Sequence, residues 1–262
     1  MFETIDQLGK KHCFENHPKR IVSLVPSQTE LLHYLGLENE VIGITKFCVH
    51  PNNWFENKTK IGGTKNVTID AVKALRPDLI IANKEENIQA QIEALRNICP
   101  VWVSDVNNLN DALKMIESIG FLTATTEKAN NLSETIKICF KQLKTPNPKT
   151  KACYLIWRDP FMTVGGDTFI NNMLGYCGLE NLFTNQNRYP EITLQQLSLL
   201  DCELILLSSE PYPFKQKHIN EIQQVLPTTQ ILLVNGEMFS WYGSRLLLAA
   251  DYFEELTAKG ST

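Results

Sequence analysis

The stretch TIDAVKALRPDLIIA at residues 68–82 reappears in altered form as TLQQLSLLDCELILL at residues 193–207. Both stretches open with a threonine, continue with apolar residues at helical spacing, and end in an apolar run typical of a buried parallel strand. Glu85 and Glu210 correspond at the same offset of 125 residues, and the sequence GLEN occurs at both 36–39 and 178–181. Because the two matches follow the same order along the chain, they indicate two lobes of similar plan.

Short β-branched or leucine-rich runs predict strands that alternate with helical patterns. The predicted strands are residues 21–25, 41–45, 79–82, 101–104, 152–157, 204–208 and 231–235. Predicted helices include 29–35, which stops at Gly36, and 68–75, which ends before Pro77. Such alternation predicts an α/β fold with two Rossmann-like lobes and mainly parallel sheets.

One long helical pattern separates the two matching stretches. Residues 124–144 contain no glycine or proline, and their apolar residues from Ala129 to Leu143 recur at helical spacing. A helix of about 20 residues is roughly 30 Å long, and a helix resists large hinge motions better than a loop does. We therefore predict an amino-terminal lobe at residues 1–123, a bridging helix at 124–145 and a carboxy-terminal lobe at 146–262.

The composition favours a globular protein whose main partner is neither nucleic acid nor an anionic membrane. The 262-residue chain is 43% hydrophobic with a formal net charge of −4, and a mildly acidic surface does not attract polyanions. Its first 20 residues are polar where a secretory signal would have an apolar run. Seven cysteines without a CxxC motif are typical of reduced thiols. These features predict a cytoplasmic location, with a periplasmic location as the alternative.

The sequence motifs of common enzyme classes are absent. The chain contains no GxGxxG, no GxxxxGK[ST], no HExxH and no GxSxG. The glycine pairs at 62–63 and 165–166 predict turns without a phosphate-binding framework, and the five histidines show no close ligand spacing. We predict a protein that is not an enzyme and requires no cofactor.

Three blocks of sequence resemble a known family. They are PKRIVSLVPSQTELL at 18–32, IGGTKNVTIDAVKALRPDLIIA at 61–82 and DPFMTVGGDTFINNMLGYCGLENLF at 159–183. Together they resemble the helical-backbone (class III) substrate-binding proteins of ABC transporters, most closely the cobalamin- and ferric-siderophore-binding branch. The resemblance implies two α/β lobes bridged by one long helix, with the ligand in the cleft between the lobes. The implied ligand is a corrinoid or another metal chelate such as a ferric siderophore or haem.

Carried over block by block, the resemblance implies ligand contacts in loops that follow the strands. The first lobe would contribute Pro26, Ser27, Phe47, His50, Trp54 and Lys65. The second lobe would contribute Trp157, Phe161, Tyr189, Tyr212, Phe214, Glu237, Met238, Phe239, Trp241 and Tyr242. Aromatic residues suit a flat macrocycle because they offer a large contact area at low entropic cost. The segments PYPF and MFSWYG are interrupted by proline, serine and glycine, which predicts loops.

Two alternatives remain open at this point. His50 lies before Pro51 in a predicted loop, and a neutral imidazole is a good ligand for cobalt, iron or zinc. With Glu85, Glu210 and Glu237 as carboxylate ligands, the chain could instead be a receptor for a bare metal ion. A cytoplasmic enzyme that kept the fold is the second alternative.

The resemblance also implies a partner. Transported relatives present one acidic residue on each lobe to arginines of the ABC permease, and the matching positions here are Asp70 and Gln195. A neutral amide cannot form the charge-assisted fork with arginine. We therefore predict a monomer that does not dock on a permease as the transported relatives do.

Overall fold

The computed structural model describes residues 1–144 and 148–259, which form two compact units. The first unit comprises Met1–Val106, Asn110–Thr135 and Tyr242–Arg245. The second unit comprises Asn107–Leu109, Ile136–Trp241 and the chain from Leu246 onward. The predicted lobe boundary at 145/146 lies outside the described residues.

The first unit is built on a five-stranded parallel sheet with the order β5-β4-β3-β8-β9. Its strands are β1 (Phe2–Ile5), β2 (Lys11–Phe14), β3 (Ile21–Ser23), β4 (Val41–Ile44), β5 (Thr59–Lys60), β6 (Gly62–Gly63), β7 (Asn66–Val67), β8 (Leu79–Asn83) and β9 (Val101–Ser104). Its helices are α1 (Pro26–Leu35), α2 (Asn52–Asn57), α3 (Ile69–Leu75), α4 (Gln89–Leu95), α5 (Leu109–Leu122) and the first part of α6 (Thr126–Gln142). The central strands β3 and β8 are buried along their whole length, as their apolar runs predict.

A small antiparallel hairpin, β1–β2, was not predicted from the sequence and covers the outer edge of β9. The Gln7 N–H donates to the Val103 carbonyl at 3.1 Å, and the Asp105 N–H donates to Gln7 Oε1 at 3.0 Å. Buried Asp6 holds the hairpin turn, because its carboxylate accepts hydrogen bonds from the backbone N–H groups of Leu8 and Lys10. The hairpin thus protects an edge strand that could otherwise pair with another chain.

The second unit is built on a four-stranded parallel sheet with the order β12-β10-β14-β15. Its strands are β10 (Thr150–Leu155), β11 (Phe161–Met162), β12 (Leu179–Asn181), β13 (Glu191–Ile192), β14 (Leu204–Ser208) and β15 (Gln230–Val234). Its helices are the end of α6, α7 (Phe169–Tyr176), α8 (Leu194–Leu199), α9 (Gln216–Val225), α10 (Glu237–Ser240) and α11 (Leu246–Lys259). Its core packs Cys153, Ile205, Leu207 and Ile222 into one apolar cluster.

The sheet orders confirm the predicted repeat. In each unit the first sheet strand lies between the second and the third, as β4-β3-β8 and as β12-β10-β14. The matched acids Asp78 and Glu203 also have matched contacts. Asp78 accepts hydrogen bonds from the N–H groups of Lys19 and Arg20 at 2.8 and 2.9 Å, and Glu203 accepts one from the Lys151 N–H at 2.7 Å. Each acid therefore fixes the entry of the chain into the first strand of its sheet.

The long helical pattern between the repeats forms one helix, α6, which is slightly shorter than predicted. Helix α6 covers Thr126–Gln142, which confirms the helix predicted there, but Ala124 has a φ of 59° and separates it from α5. A left-handed residue cannot continue an α-helix, so the helix begins two residues later than predicted. The division between the units falls inside α6, after Thr135. The role of α6 as a bridge between lobes stays a prediction.

All seven cysteines are free thiols. Cys48, Cys153 and Cys177 are buried, and burial raises the pKa of each of these thiols. Burial also raises the pKa of Cys99 to about 12 and that of Cys202 to about 11. Three of the seven cysteines are therefore small core residues, as predicted, and three of the others are partly buried. Among the helices in the described part of the chain, none combines the length and the apolar character that crossing a bilayer requires.

Candidate functional site

In the second unit, the loop after β14 is held to helix α10 by one carboxylate. Glu210 Oε1 accepts hydrogen bonds from Ser240 Oγ at 2.8 Å and from the Trp241 indole N–H at 2.9 Å. The Gly236 N–H donates to Ser209 Oγ at 2.9 Å. A side chain at Gly236 would place its Cβ 2.4 Å from Ser208 Oγ, so glycine permits this close approach. Because Glu237–Ser240 forms a helix, the prediction of a loop is wrong for these residues.

Trp157 and Tyr212 form an aromatic pair just beyond the carboxyl end of β10. Their rings meet edge to face with centroids 5.7 Å apart, and Trp157 is 40% exposed. His218 Nδ1 accepts a hydrogen bond from the Lys215 N–H at 2.8 Å, and His218 Nε2 lies 3.3 Å from the Tyr212 hydroxyl. Burial, followed by the nearby charge of Lys217, lowers the pKa of His218. The imidazole is therefore neutral at pH 7, with its proton on Nε2, and it donates to the Tyr212 hydroxyl.

The first unit presents an exposed aromatic residue of its own. Phe47 follows β4, is 51% exposed and lies against the β6–β7 hairpin, where a Cβ added at Gly63 would be 3.1 Å from the ring. The Lys46 ammonium group lies 5.2 Å from the centroid of the same ring. Lys65, in the turn of the hairpin, donates a hydrogen bond from Nζ to the Glu85 carbonyl. The loop after β4, the turn of the β6–β7 hairpin and the loop after β8 thus come together around Phe47 and Lys65.

The other predicted ligand contacts have varied surroundings. His50, Phe161, Tyr189, Glu237 and Met238 are half-buried. Pro26 is the first residue of α1 and is also half-buried, whereas Ser27 and Tyr242 are buried. Asp70 and Gln195 are exposed in the first turns of α3 and α8, which correspond in the repeat. Their role in docking stays a prediction.

Three aromatic residues that the resemblance placed at the ligand belong to apolar cores instead. Trp54 is fully buried, meets His33 edge to face and donates from its indole N–H to Glu38. Phe214 belongs to the core cluster of the second unit. Phe239 is fully buried, with its ring centroid 5.1 Å from that of Tyr154. Since none of them has an accessible face, we remove them from the set of candidate ligand contacts.

Sequence reasoning missed the contact between Glu210 and Trp241. The only signal in the sequence was that Glu210 matches Glu85 in the repeat, which marks the loop but not the partner 31 residues later. Across residues 1–144 and 148–259, no group of three or more His, Cys, Asp or Glu side chains could hold a metal ion. The assignment of His50 as a metal ligand stays a prediction.

The fold and the exposed aromatic residues define a class of two-unit α/β solute-binding proteins. The structure resembles the periplasmic vitamin B12-binding protein BtuF of Vibrio cholerae with a TM-score of 0.79 and 18% identity, covering 94% of this chain and 99% of that one. Residues 21–229 match the family described as periplasmic binding protein, and the chain belongs to this family. The resemblance seen in the sequence is thereby confirmed.

Two relatives illustrate the range of the family. An uncharacterised ABC transporter substrate-binding lipoprotein, YvrC of Bacillus subtilis, is 29% identical over 216 residues, which are 78% of this chain and 68% of the relative. A vitamin B12-binding protein of Pectobacterium atrosepticum is 24% identical over 244 residues, 89% of this chain and 86% of the relative. These relatives are binding proteins and not enzymes, which agrees with the prediction for this chain. The comparisons do not support a cytoplasmic location, because YvrC is named as a lipoprotein and BtuF as a periplasmic protein.

Proposed function

We propose that this chain is the substrate-binding component of an ABC transporter, as its relative YvrC is named, and this proposal replaces the expectation, based on Gln195, that the chain does not dock on a permease. The ligand of this proposal is a flat metal chelate, in the first place a corrinoid. The observation that carries this proposal is the exposed edge-to-face pair of Trp157 and Tyr212. Support for the corrinoid comes from the vitamin B12-binding relative, which aligns with 89% of this chain.

The surroundings of Trp157 suit a flat, partly apolar ligand. An indole offers a broad contact surface and loses little conformational freedom on binding. Tyr212, fixed by His218, supports one edge of the indole and limits its motion before the ligand arrives, which reduces the entropic cost of binding. Phe47 supplies a second exposed aromatic surface in the first unit.

The proposed ligand contacts are the predicted residues that remain after Trp54, Phe214 and Phe239 are removed. Most of them are exposed or half-buried, and the three that are buried, Ser27, Trp241 and Tyr242, each carry a polar group. We assign this role to Pro26, Ser27, Phe47, His50, Lys65, Trp157, Phe161, Tyr189, Tyr212, Glu237, Met238, Trp241 and Tyr242. Pro26, Phe47 and Trp157 follow strands β3, β4 and β10 of the two parallel sheets, where loops at the carboxyl ends commonly bind ligands.

The proposal is tested by titrating the protein with aquocobalamin, hemin and ferrichrome, following visible absorbance and the unfolding temperature. A ligand at about 100 times its Kd should raise the free energy of unfolding by about 2.7 kcal/mol. Trp157→Ala should weaken binding of the active chelate at least tenfold. Tyr34→Ala, which removes an exposed aromatic residue from α1, should have no effect on binding.

Two outcomes would contradict the proposal. In the first, none of the three chelates changes the unfolding temperature, whereas zinc or ferric ion alone does, as a bare metal-ion receptor requires. In the second, a chelate binds, but Trp157→Ala and Tyr34→Ala bind it as tightly as the unmodified protein.

A further inference from the structure

Glu210 is held in place from both sides of its loop. The side chain of Ser208, the last residue of β14, donates from Oγ to the Glu210 carbonyl at 2.5 Å and accepts from the Glu210 N–H at 3.3 Å. On the other side, Gly236 approaches so closely that an added Cβ would lie 2.7 Å from Glu210 Cγ. The backbone of Glu210 is therefore held by Ser208, and its Cγ is closely packed against Gly236, independently of any contact of the carboxylate.

The carboxylate of Glu210 then contacts two consecutive residues at the end of α10. One oxygen, Oε1, accepts from Ser240 Oγ at 2.8 Å and from Trp241 Nε1 at 2.9 Å. The indole N–H is a donor only, so a carboxylate is a well-matched partner, and hydrogen bonds to an ionised group are stronger than neutral ones. The Ser240 bond fixes the oxygen, and the Trp241 bond fixes the rotation of the ring.

We propose that Glu210 is a positioning residue that holds the Trp241 indole in the orientation required for ligand binding. This inference rests on the proposed function, in which Trp241 contacts the ligand. The hydrogen bond already fixes the orientation of the indole ring in the free protein. The entropic cost of ordering the ring therefore does not reduce the affinity for the ligand.

The repeat strengthens this assignment. Glu85, the counterpart of Glu210, lies in a loop that binds Lys65, another proposed ligand contact, but through its main-chain carbonyl. Asn83 holds that loop by accepting from the Glu85 N–H at 2.8 Å, as Ser208 does in the second unit. In both units, the loop after the third sheet strand thus binds a proposed ligand contact. The first unit uses a main-chain carbonyl for this, and the second uses a carboxylate.

The test combines a probe of the ring with a probe of binding. The indole N–H resonances of the four tryptophans are recorded by heteronuclear NMR, and Trp241→Phe identifies the resonance of Trp241. Glu210→Ala should move that resonance upfield, as loss of a hydrogen bond requires, and leave those of buried Trp54 and Trp102 in place. It should also weaken binding of aquocobalamin or hemin at least tenfold. Glu210→Gln keeps an acceptor oxygen and should restore both properties.

Glu180→Ala, which removes an exposed acid from β12 of the same unit, is the matched control and should change neither property. If Glu210→Ala unfolds the protein, Glu210→Met, which keeps most of the side-chain length but removes the acceptor oxygens, carries the same comparison. An unmoved Trp241 resonance in Glu210→Ala would overturn the inference, as would a moved resonance with unchanged affinity. If the unmodified protein binds neither probe, the proposed function fails for both, while the resonance still decides whether Glu210 orients Trp241.

Discussion

The two units end their third sheet strand in different ways. In the first unit, Asn83 donates from Nδ2 to Ser104 Oγ at 3.0 Å and accepts from the N–H groups of Glu85 and Glu86 at 2.8 and 3.0 Å. In the second unit, Ser208 holds the equivalent turn with a single hydroxyl, which also accepts from the Tyr154 hydroxyl at 3.0 Å. The matched hydrogen bond, from the N–H of Glu85 or Glu210 to the last strand residue, can therefore be accepted by an amide inside a polar network or by one hydroxyl.

The two units share some contacts of the repeat and differ in others. The acids that fix the entry to each sheet, Asp78 and Glu203, have the same role in both units. The loops at the opposite ends of the strands carry different side chains, and only the second has a cis peptide bond, between Glu210 and Pro211. Loops can change without loss of the sheet beneath them, because few core contacts depend on them.

The largest expected effect on stability is at the connection between the first sheet strand of a unit and the helix that follows it. Only the second unit has an insertion there, which contains β11 and a glycine turn. A Cβ at Gly166 would lie 2.0 Å from the Thr184 carbonyl oxygen. Gly166→Ala should therefore lower the free energy of unfolding by roughly 3 kcal/mol, because the backbone has to move. Urea unfolding with hydrogen exchange resolved by strand would measure this loss.

Gly175→Ala in α7 is the control for this comparison. Its added Cβ meets nothing within 4 Å, so it should stabilise the protein by about 0.5–1 kcal/mol through helix propensity. Equal stability of the two variants would contradict the conclusion that the Gly166 turn needs close backbone contact.

A smaller effect is expected at the ends of the third strands. Asn83→Ala should cost about 2 kcal/mol, because buried Ser104 and two backbone N–H groups lose partners. Ser208→Ala should cost about 1 kcal/mol, chiefly through the lost partner of Tyr154. Chemical unfolding of both variants would measure the difference. A loss at Ser208 as large as that at Asn83 would show that the two turns are equally dependent on their side chains.

The smallest effect concerns the β1–β2 hairpin, which belongs to the first unit alone. Burial opposes ionisation of Asp6, but its hydrogen bonds with His12 and with the backbone of Lys10 and Leu8 outweigh burial and lower the pKa of Asp6. A lowered pKa in the folded state means that the stabilisation is complete above the unfolded pKa of about 3.9 and is lost as the pH falls further.

The stability advantage of the unmodified protein over Asp6→Asn should therefore shrink below about pH 4. Urea unfolding from pH 7 to pH 3 would follow this change. Exposed Glu15→Gln is the control that corrects for the general effect of acid. An advantage that stays constant over the whole range would show that the carboxylate of Asp6 does not stabilise the hairpin.

Most of the fold could be predicted from the sequence, because the strands of the two parallel sheets are continuous apolar runs, which are typical of buried strands. The run at 204–208 became β14 and the run at 101–104 became β9 without change of bounds. The hairpin β1–β2 was missed because its strands have only four residues each, and a weak alternation over so few positions resembles a loop.

The candidate site was less predictable, for a geometrical reason. Phe239 and Trp241 are two residues apart, yet one packs against Tyr154 in the core and the other binds Glu210. Phe239 lies in α10, whereas Trp241 follows the helix in an extended conformation, so their spacing in the sequence does not predict the directions of the two side chains. The partner of Trp241 lies in another loop, and no local spacing in the sequence identifies it.

The cysteines have a practical consequence for attaching reporter groups. Maleimides react with thiolates, so the three buried thiols and those of Cys99 and Cys202, with pKa values of about 12 and 11, are poor targets at neutral pH. Cys13 is exposed on β2, and half-buried Cys139 lies in α6. A Cys139→Ser variant would therefore accept a single fluorophore at Cys13, on the hairpin of the first unit. Ligand-induced changes could then be followed without redesigning the remaining thiols.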